Sequence, residues 1–141
     1  MKENPVPALT VWQPWAELIV SGRKPIEIRR WSPEYRGRVW IHAGLHDNHA
    51  VERRFGFSGL FRGGYIGSAE LSSVEPFTEG RWASWQSRHL DSGPYQPGLF
   101  AWVFIRVRRF LQPISGPGQQ SLFVPGPEIL LKLEEADSVT H

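Results

Sequence analysis

Apolar residues recur at helical spacing once near the start of the chain and alternate with polar ones through most of the remainder. Trp15, Leu18 and Ile19 stand at i, i+3 and i+4, one stripe of a helix expected over Pro14 to Ser21. Pro14 suits its first position, where a missing N–H removes nothing. Gly22 suits the left-handed position that closes it. The run "PIEIRRW" then changes period. Ile26 and Ile28 point one way, Glu27 and Arg29 the other, as in a strand with one buried face. Lys24 precedes that strand at the turn, so a cation, a carboxylate and a guanidinium come after Gly22 in close order.

The alternation continues from Gly37 to Ala43, with Val39, Ile41 and Ala43 on one face and Trp40 and His42 on the other. "DNHAVERRFGF" reads as a short helix capped by Asp47. A long strand begins after the paired glycines Gly63 and Gly64, and "RWASWQSRHL" reads as a short helix or turn. "GLFAWVFIRVRRFLQP" carries the strongest strand signal, rich in aromatic and β-branched residues and ending at Pro113. A loop punctuated by glycine and proline encloses a short strand at Leu122 to Val124. "EILLKLEEA" fits a strand or a helical turn equally. Residues 1–7 and the tail "EEADSVTH" are expected to be loose. The count is five or six strands and two or three short helices, without regular βα alternation. This describes an α+β fold with a mixed, barrel-like sheet. One domain is expected over residues 1–141, with its core at about 8–133.

Composition narrows the chemistry. The chain has no cysteine, which removes disulfides, thiolate nucleophiles and cysteine metal sites. No run of about 18 apolar residues is present to span a membrane, and no secretory leader opens the chain. A cytoplasmic protein without membrane contact is expected. Sixteen basic residues against fourteen acidic ones give a formal charge of +2. The basic residues are mostly arginines, clustered in "RKPIEIRR", "YRGR", "ERRF" and "RVRR". A guanidinium offers a planar fork of donors suited to phosphates and base edges.

The candidate site lies on the strand after Gly22. Lys24 holds a phosphate as a cation, or acts as base or nucleophile if burial neutralises it; the bland alternative is a solvated lysine. Glu27 accepts from an exocyclic amine or sugar hydroxyl, serves as general base, or pairs with Arg29 or Lys24. Arg29 and Arg36 fit a phosphate or a base edge; pairing with Glu27 or Glu34 is the competing role. Trp31 offers a stacking face, and Trp15 is either such a platform or core. Gln13 stands where it can read a base edge beside a helix start. His42 titrates near neutrality and suits a proton shuttle. His42, His46 and His49 do not make a metal set, because no acidic or cysteine partner completes a zinc pattern. The glycine loop lacks the lysine and hydroxyl of a phosphate-binding loop, but Gln119 and Gln120 can reach a cleft edge. No metal or cofactor is expected.

Taken together, the segments resemble the ASCH domain family, named for activating signal cointegrator homology. Its G-x-K-x-x-E-x-R run appears as Gly22, Lys24, Glu27 and Arg29. The cointegrator proteins' Q-P-W-A opening appears as Gln13-Pro14-Trp15-Ala16, and their R-G-x-x-W-I as Arg36-Gly37 with Trp40-Ile41. "YIGSAEL" and "FAWVFIRVRRFLQPI" are similar to later family strands. The resemblance is sharp over Leu9 to Gly44 and extends to Leu122. It implies a PUA-like small barrel with helices outside and a cleft beside the first helix. It also implies nucleic-acid binding, RNA above all; the residue reading above makes Gln13, Lys24, Glu27, Arg29, Trp31, Arg36 and His42 the expected binding residues. The alternative it implies is a hydrolase acting on RNA or a modified nucleoside through Lys24 and Glu27. Family hydrolases that deacylate modified cytidine carry threonine at the place of Glu27 and a second acidic residue, for which Glu79 or Asp91 is available here. The glutamate is a departure from that pattern. A protein-interaction module of a transcription or translation complex is the remaining reading. Oligomeric state is not legible.

Overall fold

The computed structural model describes residues 4–139. Among them six strands form one mixed sheet. They are β1 (Ala8–Val11), β2 (Ile26–Arg29), β3 (Gly37–Ala43), β4 (Gly64–Pro76), β5 (Phe100–Ser115) and β6 (Leu122–Phe123). Their spatial order is β2-β5-β4-β3-β1-β6, with β1 parallel to β3 and the other pairs antiparallel. The helices are α1 (Trp15–Val20), α2 (His49–Arg54), α3 (Glu79–Ser84), α4 (Gln86–His89) and α5 (Pro127–Ser138). The α+β class and the curled, barrel-like sheet agree with the sequence reading.

The sheet curls because its longest ladder is irregular. The pairing of β4 with β5 shifts register at three places, and Arg106 takes a φ of +48° within β5. Bulges of this kind add twist and bend the strand that carries them. The backbones also approach closely there. A Cβ built on Gly67 would overlap the Arg108 carbonyl and lie 2.9 Å from Val20 Cγ1, so only glycine lets α1 and β5 meet at this point.

Alternation places core on both faces. Leu9, Val11, Val39, Ile41, Ala43, Leu71, Trp102 and Phe104 pack with Ala16, Ile19 and Val20 of α1. Ala8, Trp40, Tyr65, Phe110 and Phe123 pack with Leu133 of α5 on the opposite side. Ile26, Phe77, Trp82, Leu99 and Ala101 form a third cluster under α3 and α4. No helix among the described residues is long and apolar enough to cross a membrane.

Several expectations are corrected. The first element is a strand, because four residues at Ala8–Val11 gain a parallel partner, β3, that only the fold supplies. The sixth strand is therefore β1, and "EILLKLEEA" is helical. Five helices replace two or three, since α3 and α4 are separated by Trp85 alone and α5 adds another. Asn48, not Asp47, caps α2, its side chain accepting from Val51 N–H at 3.3 Å. Pro113 lies inside β5, which runs on to Ser115. The tail is helical as far as Ser138 and docked through Asp137, which accepts from Arg108 at 2.7 Å and from Ser68 Oγ at 2.9 Å. Pro7 is buried, and its carbonyl accepts from Trp40 N–H at 2.9 Å. Residues 1–3 and 140–141 lie outside the described residues.

Gly67→Ala should lower unfolding free energy in urea by about 1–3 kcal/mol, the usual range for overpacking a close approach. Gly80→Ala, where an added Cβ meets only Thr78 Oγ1 at 4.0 Å, should leave it equal or slightly higher. Equal stabilities of the wild type and Gly67→Ala would remove the close approach from the account.

Candidate functional site

The two ends of the strand order, β2 and β6, do not pair with each other. Between β2 and β1 lies a hollow of about 440 Å³. Thr10 of β1 and Trp12 just beyond it form one wall; Glu27, Ile28 and Arg29 of β2 form another. Trp15 of α1 and the loop residues Gln119, Gln120 and Ser121 complete the lining. The rim is wet: Gln119, Gln120 and Ser121 are exposed, and Trp12 is 52% exposed.

The helix-closing turn delivers the charged strand to this place. Gly22 takes a φ of +83°, and its N–H donates to Ile19 at 3.0 Å while Lys24 N–H donates to Leu18 at 2.9 Å. The chain then enters β2 with Glu27 and Arg29 on one side, as the period of two requires. Arg29 Nη2 donates to Glu27 Oε2 at 2.9 Å and to the Thr10 carbonyl at 3.0 Å; its Nε donates to the same carboxylate oxygen at 3.1 Å. The guanidinium therefore spans the gap between β2 and β1. Its Nη1 has no partner among the described residues.

Lys24 lies behind this pair. It is 2% exposed and does not line the hollow. Its ammonium donates to the His89 carbonyl, stands 3.7 Å from Glu27 Oε1, and sits 4.9 Å from the Trp15 ring centroid. Burial holds it below the ordinary lysine range; the Glu27 and Asp91 carboxylates oppose that shift, and Arg29 adds to it. Glu27 thus stands between a sealed ammonium and an accessible guanidinium.

The remaining candidates are placed elsewhere. Gln13 is buried and has both amide ends engaged: Nε2 donates to Phe61 at 2.9 Å and Oε1 accepts from Glu17 N–H at 2.9 Å. It thereby caps α1 and ties down the loop at Phe61. Trp31 packs edge-on against Trp102 at 4.8 Å and joins the first core cluster. Arg36 closes its own turn, donating to Pro33 at 2.7 Å and Tyr35 at 2.8 Å. His42 is 3% exposed, with Nε2 2.8 Å from the Gly116 carbonyl and Nδ1 3.3 Å from Thr10 Oγ1. It stands one layer behind Thr10, and burial pushes its pKa down. Trp15 is partly buried and does both things weighed for it, packing on the core cluster and lining the hollow. Glu79 begins α3, and neither it nor Asp91 lines the hollow. No group of three or more His, Asp or Glu suited to a metal ion occurs among the described residues.

Thr10, Trp12 and Ser121 are lining residues that the sequence reading did not single out. Thr10 and Trp12 carried a signal: they continue the alternation in which Leu9 and Val11 are core. Trp12 stacks on His46 with centroids 3.8 Å apart and planes 23° apart, which fixes the outer wall. Ser121 takes a φ of +58°, a backbone state that no residue-type pattern announces.

The ASCH domain family profile matches residues 9–114. Activating signal cointegrator 1 of Homo sapiens is 54% identical over 35 residues, and that of Mus musculus 51% over 35. That stretch is 25% of this chain but 6% of either relative, so the chain spans a small part of their length. The crystal structure of ASCH from Zymomonas mobilis superposes with a TM-score of 0.66 at 21% identity, covering 99% of this chain and 98% of that one. A tyrosine-to-phenylalanine variant of that protein gives 0.65 at 21% identity, covering 98% and 100%. The chain belongs to the ASCH domain family, and the solved structures share its fold. The family is associated with nucleic-acid or nucleotide interaction.

His42 and His89 support the site from behind, and burial lowers the pKa of both. Unfolded, each titrates near 6.5. Below that pH the unfolded chain binds more protons than the folded one, so stability is present above it and is lost as pH falls toward the folded values. Urea unfolding between ~pH 6.5 and ~pH 5 should show this slope, with each histidine contributing at most about 1.4 kcal/mol per pH unit. The slope should shrink in the His42→Gln, His89→Gln double variant. An unaltered slope in that variant would assign the loss to other groups.

Proposed function

We propose that the hollow between β2 and β1 receives one base or nucleotide of a nucleic acid, RNA in the first instance. One observation carries the reading: Glu27 and Arg29 are locked together at the wall of an open hollow of about 440 Å³ that is flanked by Trp12 and Trp15. The pair presents acceptor and donor atoms side by side, the complement of a base edge. Glu27 accepts from an exocyclic amine, and Arg29 Nη1 donates to a ring nitrogen or carbonyl. Glu27 already neutralises Arg29, so the pair suits a base better than a phosphate. Trp12 supplies a wet aromatic face for stacking, and the amides of Gln119 and Gln120 adapt to the sugar.

A second reading is a hydrolase acting on RNA or a modified nucleoside. The observation favouring it is the low-lying Lys24 ammonium 3.7 Å from Glu27. Perturbed cations beside a carboxylate in a cleft mark many catalytic sites. Glu27 is then the general base toward water in the hollow, and Lys24 is a positioning residue that tunes it from behind.

Tryptophan-fluorescence titration with the four nucleoside monophosphates and with pentanucleotide RNAs tests both. Trp12→Ala removes an exposed ring and should weaken binding by about 1–3 kcal/mol without unfolding the chain. Arg29→Lys should lower affinity about tenfold or more, because a lysine cannot span both Glu27 and Thr10. Full affinity in both variants sinks the pocket assignment. Release of product from RNA or from acylated nucleosides, lost in Glu27→Gln while binding persists, would favour the hydrolase.

A further inference from the structure

We propose that the hollow is one subsite of a longer footprint for single-stranded RNA, and that the neighbouring nucleotide lies across a strip made by Arg54, Phe55, Arg23 and Phe57. This rests on the nucleotide reading of the hollow. The strip begins at Trp15, which lines the hollow. Phe55 meets Trp15 edge-on at 5.7 Å. The Arg54 guanidinium lies 4.5 Å from the Phe55 centroid and 5.9 Å from that of Trp15. Arg23 lies 5.8 Å from Phe55 and 5.8 Å from Phe57. Cations and rings thus alternate outward from the wall of the hollow.

Two features point to a polyanion bearing rings. Neither Arg23 nor Arg54 pairs with a carboxylate among the described residues, although Arg29, Arg62, Arg81, Arg106, Arg108 and Arg109 each do. Arg54 instead donates to the Leu90 carbonyl at 2.6 Å and to Ser92 Oγ at 2.9 Å, bonds that orient the group and leave its charge uncompensated. Arg23 and Arg54 are both exposed, while Phe55 and Phe57 are partly so. An acidic peptide would use the charges but not the ring faces. Single-stranded nucleic acid uses both, with phosphates over guanidinium groups and bases on aromatic side chains. A free nucleoside would reach the hollow alone, so the strip assigns the ligand to a chain of nucleotides.

The test compares wild type with Arg23→Gln, Arg54→Gln by fluorescence anisotropy of 5′-labelled pentanucleotide RNAs across a salt series, beside monophosphate titrations. The double variant should bind pentanucleotides about tenfold or more weakly. Its slope of log affinity against log salt should be smaller by about 0.7 for each phosphate no longer neutralised. Its affinity for monophosphates should equal that of wild type. Phe57→Ala should weaken pentanucleotide binding at least about fivefold with the slope kept, and melting curves establish that each variant is folded. Unchanged pentanucleotide affinity and slope in the folded double variant overturn the proposal. So does a wild type that binds pentanucleotides no tighter than monophosphates, or a hexaglutamate peptide that competes as well as RNA. If monophosphates bind neither protein while pentanucleotide binding still drops in the variant, the hollow reading fails and the strip stands.

Discussion

The site depends on a single bridge across an unclosed sheet. A strand edge exposes backbone groups that must be paired, covered or solvated. Here β2 and β6 are the unpaired ends of the sheet, and the Arg29 guanidinium reaches from its own carboxylate partner, Glu27, to the Thr10 carbonyl of β1. A side chain therefore does at the seam what a ladder bond does elsewhere in the sheet. It leaves a gap wide enough for a ligand, yet it holds the two walls in fixed relation. Preorganisation of this kind reduces the ordering cost of binding.

Lys24 stands behind the carboxylate and helps to hold it in place. A lysine at 2% exposure is costly to keep charged, and removing one partner of such a pair leaves the other unmatched. The structure offsets this with the His89 carbonyl, the Glu27 carboxylate and the Trp15 ring. His89 is held in turn through Nε2 at 2.9 Å from the Trp82 carbonyl and through Nδ1, which accepts from Asp91 N–H at 3.0 Å. The cluster under α3 and α4 is thus coupled to the hollow through one buried cation. Small helices that look peripheral in the chain order serve as the back plate of the site.

The charged strand was legible because its signal is local. A glycine at the helix end and a period of two fix where Glu27 and Arg29 point, and nothing distant is needed to read it. β1 was not legible, since four residues acquire strand character only from pairing with β3, and with it went the outward-facing Thr10 and Trp12. The same limit applies to Lys24. Its position before the strand is visible in sequence, but its burial depends on His89, 65 residues away. Gln13 and Trp31 show the same limit. Their residue types suit a ligand, yet the fold uses them for a helix cap and a core edge.

Net charge is a poor guide to where cationic groups stand without a carboxylate partner. Sixteen basic and fourteen acidic residues leave +2 overall, which by itself argues for little. The acids are not spread evenly, however. Glu52 and Asp47 neutralise Arg62, Asp137 neutralises Arg108, and Glu17 neutralises Arg109. Those pairs fasten loops and helices to the sheet. Arg23 and Arg54 keep guanidinium groups against aromatic faces instead, an arrangement that attracts a cation without cancelling its charge. Two guanidinium groups without a carboxylate partner among the described residues therefore stand beside Trp15 and Phe55 in a chain that is close to neutral. They adjoin a hollow whose own arginine is already neutralised by Glu27. On the reading proposed above, base recognition and phosphate attraction would fall to different residues, since low net charge does not prevent a local cluster of cations from steering a polyanion to one face.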